Sequence, residues 1–382
     1  MASIFDRMKK VRWDHYIDYI LIAVFALVLT VLSMTGNLKN SSAIIVEKIA
    51  ISMILAVSLS LVVGFLGELS LGHAGFMCVG AYIGGKLSIA LVAAMGNTVF
   101  AVIISMLVGG LCAAACGFLV GLPALRLKGD YLAIVTLAFG EIVKVIFQQS
   151  ATFGGNLGLG TPRYDKRSFF IIELITVIIT LAAVQNLIRS KHGRAITAIR
   201  DNEIAAKATG INVTGYKLAA FMISSFFAGV AGVLFSFSNS TIQATKFGYN
   251  YSIEILVIIV LGGMGSLRGS LISAALITLL NEKLRTILTG DLAVMKDLVY
   301  AVVLIAVVIY NNAPALKSFR DKYNLRRVFD KIRNPKQDHA FVRDDDAAWD
   351  RVPTKIKMDE LLSVDIVPGN EFTPDKPSKG GQ

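Results

Sequence analysis

The chain of 382 residues is 54% hydrophobic and only 17% charged, and its mean hydropathy is +0.63. Soluble domains are nearer half apolar and a quarter charged, so this composition excludes an ordinary soluble enzyme. The net charge of +11 lies in short loops and in the tail, without a nucleic-acid-binding motif, so it argues for a membrane protein and against nucleic-acid binding.

Apolar runs of membrane-spanning length recur between residues 19 and 313. A bilayer core of about 30 Å needs roughly 20 apolar residues of helix to cross it. We therefore predict an all-α fold, a polytopic transmembrane helical bundle of about ten spans in which some helices are discontinuous. The predicted spans are 19–36, 49–66, 68–92, 98–122, 131–150, 170–188, 218–238, 252–268, 270–289 and 297–313.

The distribution of Lys and Arg predicts the orientation of the spans. An even number of spans puts both termini on one side, and the segments of that side hold about three times as many Lys and Arg as the opposite loops. The N-terminus (1–18) and the tail (314–382) are therefore predicted to be cytoplasmic, flanking a transmembrane domain (19–313). The tail is basic at first, which suits membrane lipid, and its later part is predicted to be disordered.

Two connecting segments stand out. Residues 189–217 form a long, basic, helix-like segment on the cytoplasmic side, in which Asp201 or Asn202 caps a second helix that ends at Gly210. Because loops with their own secondary structure are often functional, we interpret this loop as a contact surface, the alternative being a solvated linker. The glycine-rich outer segment 151–167 suits a gate or a docking surface, and a mobile loop is the alternative.

Motifs for covalent chemistry are missing from the sequence. The stretch Gly80–Leu87 nearly matches a phosphate-binding P-loop, but Leu87 stands where Ser or Thr must bind Mg²⁺. No H-E-x-x-H or G-x-S-x-G motif is present, and the three cysteines suit small buried hydrophobic residues. We therefore expect no ATPase site, no metal site, no bound cofactor and no enzymatic activity in this chain.

Glycines and charged residues inside the predicted spans mark a candidate translocation path. The span junction 64–75 is rich in glycine and polar residues, and breaks of this kind expose backbone groups to which a zwitterionic substrate can bind. Close helix packing is the alternative for the glycines, and a structural ion pair is the alternative for Glu141 and Lys144 at i, i+3. The candidate pathway residues are Glu68, Ser70, Gly72, His73, Gly75, Glu141, Lys144, Glu254, Gly262, Gly263 and Gly265.

Four stretches carry a family pattern in the same order along the chain. They are Gly67–Tyr82 (GELSLGHAGF…GAY), Leu125–Glu141 (LRLKGDYLAIVTLAFGE), Gly193–Ala206 (GRA…AIRDNEIAA) and Ser252–Gly269 (SIEIL…LGGMGSLRG). In these motifs the chain resembles the LivM-type permeases of branched-chain amino-acid ABC transporters, and the related urea and amide permeases share much of the pattern. Glu68 stands where this family often has Gln.

The resemblance implies the permease subunit of a heteromeric ABC importer, multi-pass in the plasma (inner) membrane of a prokaryote. Its partners would be a second, LivH-type permease, two cytoplasmic ABC ATPases that use ATP, and an extracytoplasmic substrate-binding protein. The substrates would be leucine, isoleucine and valine. The alternatives are a permease for urea or short amides, and an ion-coupled secondary transporter.

The resemblance also implies a role for the loop 189–217. Import permeases of this kind carry an EAA---G motif that docks on the ATPase, and Glu203, Ala205, Ala206 and Gly210 match it, with Ile204 as an extra residue after the Glu. The predicted ATPase-coupling residues are Arg194, Asp201, Glu203, Ala205, Ala206 and Gly210.

Overall fold

The computed structural model describes residues 40–96, 99–125, 127, 129–162, 164 and 166–287, with 298, 301, 302, 305 and 309 as isolated positions. The predicted span 19–36, most of 297–313, the N-terminus and the tail lie outside the described residues.

The described part is helical almost throughout. Its helices are α1 (Asn40–Ser60), α2 (His73–Met95), α3 (Val99–Ala124), α4 (Asp130–Gln149), α5 (Lys166–Arg189), α6 (Lys191–Asp201), α7 (Glu203–Ala208), α8 (Val213–Ser238), α9 (Tyr249–Gly262) and α10 (Leu267–Ile287). A π-helical turn, Leu61–Leu66, continues α1, and short 3-10 turns lie at Ala151–Phe153, Gly155–Leu157 and Ala244–Phe247. Two short antiparallel strands, β1 (Leu159–Gly160) and β2 (Thr241–Ile242), pair between the helices. The predicted helical class is confirmed.

Within the described residues, 5 helical segments are long and apolar enough to cross a membrane. They are Ala43–Leu66, His73–Ala94, Val99–Ala124, Phe169–Arg189 and Val213–Ser238. Helix α9 is apolar but shorter. The predicted spans 131–150 and 270–289 are present as α4 and α10 but do not belong to this group. The prediction of about ten spans with cytoplasmic termini remains a prediction.

The structure differs from the predicted boundaries at several places; for example, α8 begins at Val213 and not at 218, and α9 ends at Gly262 and not at 268. Helix α1 begins at Asn40, nine residues before the predicted span 49–66, because the polar residues in this stretch continue the helix instead of forming a loop. Residues 68–72 are not helical, whereas the predicted span 68–92 includes them. The chain leaves the helix there because Gly67 adopts the left-handed conformation, with φ +79°, that other residues disfavour.

Helix α8 lies at the centre of the bundle and packs against α1, α2 and α3. Its contact with α2 is made backbone to backbone: a Cβ on Gly80 would lie 2.1 Å from the Gly229 carbonyl oxygen, and a Cβ on Gly232 would lie 2.0 Å from the Met77 carbonyl oxygen. Helices can approach this closely only where no side chain intervenes. The spacing of Gly80 and Gly84 therefore reflects close packing, and a Cβ on Gly84 would meet the Val233 side chain at 2.4 Å.

Candidate functional site

The break between α1 and α2 is the centre of the candidate site. The π-helical turn Leu61–Leu66 ends at Gly67, and the Glu68 N–H closes it by donating to the Val62 carbonyl oxygen at 3.1 Å. Residues 68–72 then run without helical structure until α2 begins at His73. The predicted interruption of the helix therefore lies where glycine and polar residues cluster in the sequence.

Glu68 is connected to the loop 189–217 through one lysine. The Lys217 ammonium lies 2.5 Å from Glu68 Oε1 and 3.1 Å from Glu203 Oε2, and the Lys217 side chain is only 5% exposed. A buried ammonium is tolerated when carboxylates compensate its charge, and here two of them do so. Lys217 lies near the start of α8, so it joins the broken helix, α7 and α8 at one point.

Arg200 makes a second connection from the same loop. Its Nη1 donates to the Gly64 carbonyl oxygen at 3.2 Å, and its Nε and Nη2 donate to Asp201 Oδ1. A Cβ on Gly67 would lie 2.7 Å from Arg200 Cγ, so glycine is required for the arginine stem to cross the turn. Arg200 thereby holds a carbonyl oxygen within the π-helical turn that ends α1.

The turn between α9 and α10 completes this contact. A Cβ on Gly64 would lie 2.6 Å from the Gly265 backbone nitrogen, and Gly263 and Gly265 both have positive φ, +87° and +84°. The break after α1, the loop 189–217 and this turn therefore lie at the same end of the bundle, which we call the loop end. We call the group that meets there the junction cluster: Gly64, Glu68, Arg200, Glu203, Lys217 and Gly265.

The start of α2 is packed tightly against neighbouring helices. His73 is 2% exposed, and its Nε2 lies 2.8 Å from the Ser58 hydroxyl oxygen. The Ala74 N–H donates to the Ser252 hydroxyl oxygen at 3.1 Å, so a side chain already satisfies this helix-terminal donor. Gly72 and Gly75 lie against α4, and a Cβ on Gly72 would meet the Thr136 carbonyl oxygen at 2.5 Å. Close packing, the alternative given for these glycines, describes their surroundings in the structure.

Two hydroxyl groups at the break differ from the rest. Ser60 Oγ and Ser70 Oγ are buried and have no hydrogen-bond partner among the described residues. A buried hydroxyl without a partner is destabilising, so native sites usually supply water or a ligand to it. These two serines are therefore the polar groups beside the break that remain available to a bound molecule, and only Ser70 was among the predicted pathway residues.

The charged residues predicted on α4 and α9 are engaged in contacts between helices. Glu141 forms an ion pair with Lys144, and its Oε1 also accepts a hydrogen bond from the Tyr249 N–H, at the start of α9, at 2.8 Å. Glu254 Oε1 accepts a hydrogen bond from Asn281 on α10 at 2.9 Å. The ion pair of Glu141 with Lys144 agrees with the structural alternative given for these two residues, and the further contacts of Glu141 and Glu254 connect α4 to α9 and α9 to α10.

Helices α6 and α7 give the loop 189–217 its shape. The Asn202 side chain caps α7 by accepting from the Ala205 N–H at 3.0 Å, and Gly210, with φ +85°, follows the end of that helix. Of the two predicted caps, the structure therefore has Asn202. Glu203 and Ala206 face the bundle, whereas Ile204 is 79% exposed. Arg194, Asp201 and Ala205 are exposed as well.

Comparison with known proteins gives a consistent result. A family model described as "Branched-chain amino acid transport system / permease component" matches residues 42–308. The high-affinity branched-chain amino acid transport system permease protein LivM of Salmonella typhimurium is 34% identical over 295 residues, which are 69% of this chain and 68% of that protein. LivM of Escherichia coli is 36% identical over 268 residues, which are 62% of this chain and 61% of that protein.

A relative that is named for a different substrate shows how broad the family pattern is. The ribose import permease protein RbsC of Escherichia coli is 28% identical over 310 residues, which are 76% of this chain and 92% of that protein. This chain spans about two thirds of the length of the LivM proteins that it matches, 68% and 61% in the two cases above.

Proposed function

Because this chain belongs to the branched-chain amino acid transport permease family, we propose that it carries leucine, isoleucine and valine across the cell membrane of a prokaryote as one subunit of an ATP-driven importer. The proposed partners are a second, LivH-type permease, two cytoplasmic ABC ATPases and an extracytoplasmic substrate-binding protein. The chain itself does no covalent chemistry and binds no cofactor, and the partner subunits hydrolyse ATP.

The observation that carries this proposal is the double contact of Lys217 with Glu68 and Glu203. It connects the EAA-like helix α7 directly to the interrupted end of α1. A device that converts ATP binding into transport needs a mechanical link of this kind between the surface that the ATPase touches and a helix that can change its geometry. Single π-helical turns are typical of functional positions in helices, and the break after α1 begins with such a turn.

The proposed coupling proceeds in three steps. ATP binding closes the two ATPases, and the closure displaces α6 and α7. Arg200 and Lys217 pass the displacement to Gly64 and Glu68, because a charge-assisted hydrogen bond resists stretching more than an apolar contact does. The break after α1 then shifts and alternates access to a path beside it, where Ser60 and Ser70 offer free hydroxyl groups.

The exposed Ile204 provides the test of the docking surface. Ile204→Glu places a charge on the outer face of α7, and the side chain is 79% exposed, so the permease should fold normally. We expect it to lose co-purification of the ATPase subunits and most substrate uptake. The matched control is Leu157→Glu. Leu157 is 86% exposed and precedes α5, whereas α6 and α7 follow the other end of that helix, so this variant should keep the ATPases bound. Normal co-purification and uptake with Ile204→Glu would contradict the docking role of α7.

The substrate needs a separate measurement, because one relative is named as a ribose import permease. Uptake of radiolabelled leucine, urea and ribose into proteoliposomes that contain the whole transporter compares the three classes directly. We expect saturable leucine uptake that requires ATP and survives the collapse of ion gradients. Uptake that survives ATP depletion but stops when the gradients collapse would favour the secondary transporter instead.

A further inference from the structure

An apolar groove lies on the side of the bundle between α3, α5 and α8. Its volume is about 660 Å³, and Ala114 on α3, Leu187 on α5 and Phe227 on α8 are among the residues that line it. Ala183 on the α5 wall is exposed and Met222 on the α8 wall is half-buried, so the described residues leave the groove open. An open apolar groove marks a binding surface for lipid or for another protein segment.

The polar part of the groove lies at one end, where α5 meets α6. Ser190 and His192 line the groove there, and the Nδ1 of His192 lies 3.3 Å from the Tyr216 hydroxyl oxygen on α8. The neighbouring Lys191 and Arg194 are exposed, and neither has an ion-pair partner among the described residues. One end of the groove is therefore polar and basic, whereas the rest of it is apolar.

The described helices around the groove bring no unpaired acidic side chain to this basic end. Helix α3 contains no Asp or Glu, and the charged residue of α8 is Lys217. The Glu of α5, Glu173, lies ten residues before Ala183, which is about 15 Å along the helix axis toward the opposite end. The Asp of α6, Asp201, forms an ion pair with Arg200. The basic end therefore favours an anionic group.

We propose that an anionic phospholipid of the surrounding membrane binds here, with an acyl chain in the groove and its phosphate group beside Lys191 and Arg194. The acyl chain gains binding free energy with each methylene group that it buries. The negative head group is attracted by Lys and Arg side chains at the membrane surface. A zwitterionic phospholipid has the same acyl chains but lacks the net negative charge, so the site should prefer the anionic lipid.

The dimensions of the groove fit one leaflet of a bilayer. Ser190 and Ala183 are seven residues apart, which is about 10 Å along a helix. One leaflet is half of the hydrocarbon core, or about 15 Å deep. The phosphate group therefore lies at the membrane surface when the acyl chain lies in the groove, and the long side chains of Lys191 and Arg194 extend to that level.

The first predicted span of the chain itself, residues 19–36, is a competing occupant. Its flanking segment 1–18 contains four Lys and Arg and three Asp, so it would bring a net charge of +1 to the basic end. Like charges repel, whereas the phosphate of a lipid compensates the charge of Lys191 and Arg194. The charge at the groove therefore favours the lipid. The proposal does not depend on the transported substrate, because lipid binding is measured by itself.

Photo-crosslinking in membranes identifies the occupant of the groove. A diazirine analogue of methionine replaces Met222 in the whole transporter, in vesicles of equal parts phosphatidylglycerol and phosphatidylcholine with identical acyl chains. Mass spectrometry of the labelled peptide should show phosphatidylglycerol at least about five times as often as phosphatidylcholine, since one nearby Lys or Arg gives roughly this factor. Lys191→Gln should lower the preference roughly fivefold. The control Lys246→Gln, exposed in the turn Ala244–Phe247 beyond the other end of α8, should keep it.

A second pair of variants tests whether the captured lipid lies in the groove. Ala183→Trp places an indole ring in the groove from an exposed position, so it should lower lipid capture at least threefold, whereas Ala138→Trp on the exposed face of α4 should not. Equal capture of the two lipids, or no lipid capture, would overturn the proposal. A crosslink to residues 19–36 would assign the groove to the chain's own span, and a crosslink to the partner permease would make it a subunit interface; both results would also overturn it.

Discussion

The contact between α2 and α8 and the junction cluster are both places where segments of the bundle approach closely, but different forces hold them. At Gly80 and Gly232 the backbones touch with no side chain between them, so the contact fits one geometry only. At the junction cluster, the long side chains of Lys217 and Arg200 reach across to partners on other segments. A long, flexible side chain with a charged end group can keep its hydrogen bond when its partner moves by a small distance. A contact between two backbones is lost by the same movement.

This difference suggests a division of labour within the bundle. Helix α8 packs extensively against α2 and α3, and we expect these contacts to move as one unit, with displacement entering at the junction cluster. Lys217 belongs to both, because it lies near the start of the helix that further along makes the glycine contacts. Displacement of α7 would therefore act on the end of α8 as well as on the break after α1.

The largest effect is expected in the rigid contact. Gly232→Ala adds a Cβ that would lie 2.0 Å from the Met77 carbonyl oxygen, so α2 and α8 must separate. We expect a loss of about 2–3 kcal/mol in unfolding free energy, which exceeds the roughly 1 kcal/mol that alanine gains over glycine in a helix. Denaturation in detergent measures it. Gly160→Ala is the matched control, since a Cβ there meets nothing within 4 Å. Equal stability of the two variants would refute the rigid contact.

A somewhat smaller loss of stability, with a larger loss of function, is expected from Lys217→Met. Removing the ammonium leaves Glu68, whose side chain is 14% exposed, facing Glu203, and breaking a buried ion pair typically costs about 3–5 kcal/mol. The Glu203 side chain is 31% exposed and can turn to water, so we expect about 2 kcal/mol here. Uptake per ATP hydrolysed should fall at least tenfold, measured in proteoliposomes. The exposed Lys283, near the end of α10 and outside the loop 189–217, gives the control Lys283→Met, which should keep both properties.

A triple variant separates stability from coupling. Lys217→Met with Glu68→Gln and Glu203→Gln leaves no uncompensated charge, so the stability should return, because replacing a whole buried ion pair by neutral groups is often neutral. The charged link remains absent, so the uptake should stay low. Recovery of normal uptake in the triple variant would mean that Lys217 acts only by stabilising the fold.

Features formed within one short segment of the chain could be predicted from the sequence, whereas contacts between distant segments could not. The high density of glycine predicted the break in the helix at 64–75, and the residue types predicted a helix cap at Asp201 or Asn202. The helical bundle followed from the apolar runs. The predicted start of α1 at residue 49 was wrong, because the charged Glu47 and Lys48 look like the end of a loop in a hydropathy pattern although the helix already begins at Asn40.

The junction cluster could not be predicted, because its contacts join distant positions. Lys217 meets Glu68 across 149 residues, and Arg200 meets Gly64 across 136 residues. Both basic residues lie in the loop 189–217, where nothing local separates them from ordinary solvent-exposed charges. Glu173 could not be singled out for a different reason: it is one acidic residue within an apolar run, and the sequence does not show that its carboxylate is buried without a hydrogen-bond partner among the described residues.

The smallest effect is expected at the ion pair of Glu141 and Lys144, which tests whether these charges belong to the path or to the scaffold. Both side chains are partly exposed, 28% and 20%, so the pair should contribute no more than about 1 kcal/mol. Lys144→Met should therefore lower the stability slightly and leave the KM for uptake unchanged, as should Lys246→Met, its exposed neighbour in the turn Ala244–Phe247. Initial uptake rates over a range of leucine concentrations measure the KM. A KM that rises tenfold with Lys144→Met alone, at unchanged stability, would return the pair to the translocation path, because only contact with the substrate explains that combination.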